Sequence, residues 1–154
     1  MAIEIKNKNV TLSLMKWQFH TILRNLIGWW IDNISSIYIT EGWREKKHAN
    51  DLHGTIPGRA IDARSRTHVK PDLVADKVNK VWIYDPARPK MKCVVFHARC
   101  PECGHNNQAP QHKYCDKCGA KIVNNWHFHI QIHPRTKYVE ANTPDTRPDQ
   151  EDGF

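Results

Sequence analysis

Four cysteines in this sequence have the spacing that metal coordination requires. They form two Cys-x-x-Cys-Gly segments separated by eleven residues, and they are Cys100, Cys103, Cys115 and Cys118. Two thiolates three positions apart can bind one ion when the backbone turns tightly behind them, and the glycine after each pair permits that turn. The spacing therefore predicts a single zinc ion held by four sulfur atoms.

Four thiolates close the coordination shell of zinc, so this ion is expected to be structural. The segment resembles a zinc ribbon, here placed at residues 99–119 as an insertion. Such modules often contact nucleic acid or protein, and a simple solvated face is an equally good interpretation. The basic side chains that would form a nucleic-acid surface on the ribbon are His105, His112, Lys113 and Lys117.

A second group of side chains offers nitrogen and oxygen ligands. It consists of His53, Asp62 and the pair His127 and His129. Imidazole nitrogens and a carboxylate oxygen suit zinc, and three such ligands leave one position open for water. A water molecule bound there has a pKa of about 7, so hydroxide is available at neutral pH to attack a carbonyl group.

The pair His127 and His129 lies in a segment where apolar and polar residues alternate, which is typical of a strand. Alternate residues of a strand face the same side, so both imidazoles can reach one site. One can ligate the metal while the other acts on the water or the leaving group, and the pattern does not assign the two roles. The chain has ten histidines, and most are interpreted as surface or core residues: His20, His48, His68, His97, His105 and His112.

Apolar periodicity places the elements that carry these residues. It predicts a helix over 11–32, a second helix from Pro71 to Trp82, and strands over 37–40, 92–98 and 126–133. Cys93 falls in the apolar run before Phe96 and is interpreted as a small core residue. Beyond Pro134 the Pro- and Asp-rich composition predicts a flexible tail over 139–154.

Residues 36–64 and 126–134 resemble the LAS group of zinc peptidases, which includes lysostaphin-type enzymes, D-alanyl-D-alanine peptidases and hedgehog-like domains. The resemblance rests on Thr-x-Gly-Trp-Arg ending at Arg44, on Gly-x-Ala-x-Asp ending at Asp62, and on the His-x-His strand. It implies that His53, Asp62 and His129 bind a catalytic zinc. It further implies that His127 is the base or transition-state stabiliser.

The resemblance also implies a fold and a substrate. The fold would be α+β, a small antiparallel sheet with flanking helices, built from residues 1–98 and 120–138. The activity would be hydrolysis of an amide bond in peptidoglycan stem or cross-link peptides, as in a phage lysis enzyme. Arg44 would bind a substrate carboxylate or the developing oxyanion, or it is a surface arginine. The sequence departs from the family by enclosing eight residues between His53 and Asp62 where six are common, and by Asn124 where many carboxypeptidases have glutamate.

Charge and hydropathy limit the partners. The formal net charge of +7 favours anionic partners such as cell-wall polymers or nucleic acid. No apolar run reaches the ~20 residues that span a bilayer, and no leader peptide opens the chain, so we expect synthesis in the cytoplasm without a membrane span. Two alternatives to the peptidase remain open: a nucleic-acid-binding or scaffold protein with an inactive peptidase-like body, and a zinc-dependent nuclease.

Overall fold

A computed structural model describes residues 3–8, 10, 19–107, 114–122 and 126–140. The helices of the described ranges are α1 (Thr21–Asn33) and α2 (Pro71–Val81), with a short 3-10 helix at Leu52–Gly54. The strands are β1 (Ile3–Ile5), β2 (Ile37–Glu41), β3 (Ala60–Arg64), β4 (Trp82–Ile83), β5 (Val94–Arg99), β6 (Asn106–Asn107), β7 (Trp126–Gln131) and β8 (Lys137–Tyr138). The α+β class is therefore as the sequence predicts.

Six strands form one sheet in the order β1-β2-β3-β7-β5-β6, and β4 pairs with β8 in a separate two-stranded sheet. The prediction of an antiparallel sheet is wrong in one respect, because β1 runs parallel to β2 and the sheet is mixed. The other neighbours in the large sheet are antiparallel. The parallel pair arises because β1 and β2 are joined through α1, which returns the chain to the same end of the sheet.

The two faces of the large sheet differ in chemistry. One face is apolar and lies against the helices, where Trp30 of α1 meets Phe128 of β7 edge-on with ring centroids 5.3 Å apart. The other face carries Asp62 and Arg64 on β3, which pair with His129 and His127 on β7. The alternation along each strand thus buries the core on one side and collects the polar groups on the other.

Helix α1 begins at Thr21, later than the periodicity predicts. Phe19 forms a bridge with Gly58, and the side chain of His20 accepts a hydrogen bond from Ile22 N, which caps the helix. Because a capping residue lies outside the helix, the predicted helix is interrupted here. The rest of the prediction, residues 11–18, lies outside the described residues.

Helix α2 begins at Pro71 as the sequence predicts, and it ends at Val81. It is fixed to the sheet by Asn79, whose side chain donates to Val94 O and accepts from Val94 N, both at 2.9 Å. Val139 donates to Val81 O at 2.6 Å, and the predicted tail beyond residue 140 lies outside the described residues. Within the described ranges no helix has the length and apolarity needed to cross a bilayer.

Candidate metal centres

Asp62, His53 and His129 come together on the polar face of the sheet. Asp62 Oδ1 lies 3.2 Å from His53 Nε2 and 3.1 Å from His129 Nδ1. The three candidate ligand atoms all lie within 4.8 Å of one another, so the group can hold a metal ion. His129, not His127, is the member of the His-x-His pair that joins this group.

Each ligand is positioned by a different local structure. Asp62 and His129 are direct cross-strand partners on β3 and β7. His53 comes from the 3-10 helix, whose first turn is capped by the Asp51 side chain accepting from His53 N at 3.1 Å. The eight residues between His53 and Asp62 therefore form a loop that still brings the two side chains into contact.

The far nitrogens of both imidazoles are occupied by hydrogen-bond acceptors. His53 Nδ1 lies 3.1 Å from Gly42 O, and a carbonyl oxygen only accepts, so Nδ1 carries the hydrogen. Gln131 donates its amide to Lys92 O at 2.8 Å, which turns its Oε1 toward His129 Nε2 at 3.1 Å. In the neutral rings, lone pairs therefore point from both histidines toward the Asp62 carboxylate.

Three lone-pair donors facing one another repel unless a proton or a metal cation lies between them. Burial raises the pKa of the Asp62 carboxyl, but the contacts with His129 and His53 hold it well below its usual range. Burial lowers the pKa of His53, and the Asp62 carboxylate outweighs this and raises it. Asp62 is thus ionised at neutral pH, which is the form that binds a metal.

His127 lies beside this group together with His97, which is its direct partner on β5. The two ring centroids are 5.4 Å apart, and His97 is 6.1 Å from His129. Burial, with the charges of His127 and His129, lowers the pKa of His97 to about 4. From the sequence alone, His97 is interpreted as a surface or core histidine. The alternation of Val95, His97 and Arg99 along β5 is the signal that would have put it on the polar face.

Arg44 binds two carboxylates rather than facing solvent alone. Its Nε donates to Glu41 at 2.6 Å, and its Nη1 donates to Asp51. Burial raises the pKa of Asp51, but hydrogen bonds from Lys47 N, Arg44 and His53 N lower it to about 2. The carboxylate that Arg44 holds is the one that caps His53, so these contacts favour a positioning role. Binding of a substrate carboxylate by Arg44 stays a prediction.

Gly54 is a residue of this loop that the sequence analysis did not single out. A Cβ atom at this position would lie 2.5 Å from Lys46 Cγ, 2.7 Å from Lys46 N and 2.8 Å from Arg44 O. Two of those atoms are backbone, so a larger residue would displace the loop that carries His53. The absence of a side chain is thus a requirement of the site.

The four cysteines form a second group whose sulfur atoms lie within 4.8 Å of one another. Cys100 Sγ is 3.5 Å from Cys118 Sγ, and Cys103 Sγ is 3.7 Å from Cys115 Sγ. A tetrahedron with metal–sulfur bonds of ~2.3 Å has edges of about 3.8 Å. The spacing is therefore close to that of a four-thiolate zinc site.

The backbone behind the cysteines repeats in the two halves of the ribbon. Gly104 and Gly119 have φ of 77° and 76°, and each donates its N–H to the carbonyl of the first cysteine of its pair, at 3.0 and 2.9 Å. Positive φ is the reason for glycine at these positions, as the sequence predicts. Burial raises the pKa of the Cys115 thiol, but nearby N–H groups lower it to about 6, which favours the thiolate.

Asn107 joins the ribbon to the sheet. Its side chain is fully buried, donates to Ala98 O at 3.1 Å and accepts from Asp116 N at 2.8 Å. Of the side chains proposed as a nucleic-acid surface, His105 and Lys117 are exposed, and His112 and Lys113 lie outside the described residues. On the described part of the ribbon, the basic side chains of His105 and Lys117 thus face solvent, and their exposure does not favour a nucleic-acid surface over a solvated face.

Comparison of the chain with protein-family models, with curated proteins and with solved structures finds no match. The resemblance to the LAS group consequently rests on the sequence motifs alone. Function must be argued from the site itself.

Proposed function

We propose that the chain is a zinc-dependent hydrolase that cleaves an amide bond in peptidoglycan peptides. One observation carries the proposal: the lone pairs of His53 Nε2 and His129 Nδ1 converge with the Asp62 carboxylate on the polar face of the sheet. Two imidazoles and a carboxylate are a zinc ligand set that leaves a position for water. The four-cysteine group would hold a second zinc, which is structural.

The residues fit such an ion by their chemistry. The carbonyl of Gly42 and the amide of Gln131 fix both imidazoles in the form that ligates, which is the usual outer arrangement of protein zinc sites. A zinc ion bound there would polarise a substrate carbonyl and lower the pKa of a bound water molecule to about 7. The Asp62 and His129 side chains are 19% and 20% exposed, so the site opens to a substrate from the polar face.

His127 supplies the proton-transfer group in this proposal, and His97 positions it. They form a cross-strand pair next to His129, and neither belongs to the ligand group. An imidazole of His127 can accept a proton from the attacking water and deliver it to the nitrogen of the leaving amine. His97 packs against that ring and holds it in place, with a lowered pKa that keeps His97 neutral.

The substrate class rests on the resemblance and on charge. The motifs around Arg44, Asp62 and His129 are peptidase-like, and the net charge of +7 suits an anionic wall. A peptide can lie over the polar face because the helices cover the opposite face of the sheet. Endopeptidase and carboxypeptidase activities are both consistent with this arrangement.

The test separates a ligand from a proton-transfer group. His129→Ala and Asp62→Ala should each retain one zinc per chain, while His127→Ala should retain two and lose hydrolysis of purified peptidoglycan by ~100-fold or more. Zinc is counted by elemental analysis of the purified protein, and product peptides are counted by chromatography. His48→Ala, an exposed histidine on the same loop as His53, is the matched control and should behave as the wild type.

Two results would contradict the proposal. Wild-type protein with one zinc per chain would mean that the His/Asp/His group does not hold a metal. Two zincs without any release of peptide from peptidoglycan, under conditions where the fold is intact, would leave a metal site without the proposed activity. If His129→Ala kept both zincs and His127→Ala lost one, His127 would be the zinc ligand and His129 the proton-transfer group.

A further inference from the structure

Basic side chains from three parts of the chain converge at one end of the large sheet. Arg88 and Arg135 both bind the buried carboxylate of Asp85, at 3.1 and 2.8 Å. Arg59 donates to Tyr84 Oη at 3.3 Å, and the Arg88 guanidinium lies 5.6 Å from the same ring. These contacts place three guanidinium groups around one tyrosine and one acid.

Lysines extend this cluster outward. Lys137 pairs with Ile83 between β8 and β4, and Lys92 forms a bridge with Ile83. Lys90 lies in the turn between Arg88 and Lys92, where Met91 N donates to Arg88 O. We call the following six residues the basic surface: Arg59, Arg88, Lys90, Lys92, Arg135 and Lys137.

The basic surface has a large excess of positive charge. Asp85 is the single acid in segments 83–92 and 133–138, and it is fully buried beneath its two arginines. The side chains of Arg88 and Arg135 are 49% and 62% exposed, so much of each guanidinium faces solvent. Burial lowers the pKa of His133, and the charges of Arg59, Arg135 and Arg88 lower it further against the opposing effect of Asp85.

The basic surface continues onto α2 and borders the candidate catalytic centre. A shallow depression beside Lys92 is lined by Lys77 and Lys80 of α2, which outnumber the one acid of its lining, Asp76. On the other side, Lys92 O accepts the Gln131 amide, and Gln131 in turn contacts the metal-site residue His129. Two hydrogen bonds thus separate this surface from the proposed zinc ligands.

We propose that the basic surface binds the phosphate-bearing polymer of the wall whose peptides the chain cleaves. This inference rests on the proposed function, because the polymer is chosen as a component of the wall whose peptides would be the substrate. Guanidinium groups bind phosphate oxygens in a bidentate manner, and neighbouring lysines add charge for a repeating polyanion. Holding the polymer beside the sheet raises the local concentration of wall peptides at the polar face.

The test measures binding apart from hydrolysis. Zinc-loaded full chain is sedimented with insoluble wall fragments that carry the phosphate polymer, and with the same fragments after its chemical removal. The combined variant Lys90→Gln and Lys137→Gln removes two charges but none of the contacts to Asp85, and it leaves Lys92, whose carbonyl oxygen holds Gln131, unchanged. The matched control is Arg66→Gln and Lys70→Gln, two exposed basic residues elsewhere.

The variant of the basic surface should bind polymer-bearing fragments about tenfold more weakly at low salt, and the control should bind as the wild type. Hydrolysis of a soluble wall peptide should be equal in all three proteins. Equal binding by both variants, or no loss of binding after polymer removal, would overturn the proposal. Random-sequence duplex DNA is the third probe. If the same lysines bound DNA more tightly than they bind wall fragments, the proposal would be wrong and the basic surface would be a nucleic-acid surface. If the proteins bound wall fragments as expected but did not hydrolyse the peptide, the result would contradict the proposed hydrolase activity and not the proposed binding of the polymer.

Discussion

Residue types identify the candidate metal ligands, but the hydrogen bonds of those side chains decide which nitrogen is available. His53 presents Nε2 because Gly42 O holds Nδ1, whereas His129 presents Nδ1 because Gln131 holds Nε2. The sequence shows the histidines and not these acceptors. The role of Gln131 as the partner of His129 is evident only once β7 is known to place both on the same face. The role of Lys92 as the acceptor for Gln131 is evident only once β5 is known to pair with β7.

Arg44 gives a prediction at this scale. Arg44→Lys keeps the charge but replaces two donor nitrogens by one, so it cannot reproduce the present geometry of the contacts to Glu41 and Asp51, and the cap on His53 loosens. We expect zinc affinity of the His/Asp/His site to fall ~10-fold or more, with turnover reduced more than the melting temperature. Competition with a chelator of known affinity measures the zinc, and calorimetry measures the melting.

The same experiment distinguishes the two roles of Arg44. A rise in KM at unchanged zinc affinity would show that Arg44 binds the substrate carboxylate instead. The control is Arg24→Lys on α1, where an exposed arginine contacts Thr21 at 3.4 Å and should tolerate the change. Wild-type zinc affinity and wild-type kinetics in Arg44→Lys would make Arg44 an ordinary surface residue.

Elements with a clear period are predictable from this sequence, and elements defined by tertiary contacts are not. The alternation of β7 and the proline at the start of α2 predict both correctly. The sequence does not predict the strand β3, because Ala60–Arg64 is short and its partners are distant in sequence. It also does not predict the start of α1, because the apolar period continues through His20, whose side chain caps the helix.

The loop between β2 and β3 supports a second prediction, at Gly54. Gly54→Ala should move the loop, because its Cβ would overlap Lys46 N and Arg44 O, and should lower stability by about 1–3 kcal/mol. Loss of the non-ribbon zinc should accompany it, since the adjacent His53 shifts. Thermal unfolding and zinc analysis on the same samples measure both.

Gly28 provides a control of opposite sign. A Cβ at Gly28 meets nothing within 4 Å, and the residue lies inside α1, so Gly28→Ala should stabilise the fold by about 0.5–1 kcal/mol. Its zinc content should stay at two per chain. If Gly54→Ala were as stable as Gly28→Ala, the loop would accommodate a methyl group. The site would then not require glycine at position 54.

At the scale of the whole molecule, the ribbon and the His/Asp/His site share two strands. The ribbon lies between β5 and β7 in the chain, and Trp126 at the start of β7 packs against Phe96 of the main core and against the small core of the ribbon. Trp126 pairs with Ala98, and the next pair on the polar face is His97 with His127. The ribbon and the pair of His97 and His127 are thus joined through one end of the sheet.

The last prediction follows from this connection. Cys115→Ser should reduce the zinc content by one per chain and lower the melting temperature, because the ribbon core of Ala98, Cys100, Cys115 and Ile122 is too small to replace a structural zinc, which contributes ~10–16 kcal/mol in small zinc modules. Hydrolytic activity per folded molecule should also fall. Trp126 packs against the ribbon core and begins the strand pairing that positions His127, so loss of the ribbon should disturb this histidine. Cys93→Ser is the control: Cys93 is fully buried outside the ribbon, so this change should cost some stability and leave both zincs in place. If Cys115→Ser kept two zincs and an unchanged melting temperature, the four cysteines would not hold a structural ion. If it lost one zinc but hydrolysed peptidoglycan at the wild-type rate, the ribbon would be a separate module and not a support of the catalytic face.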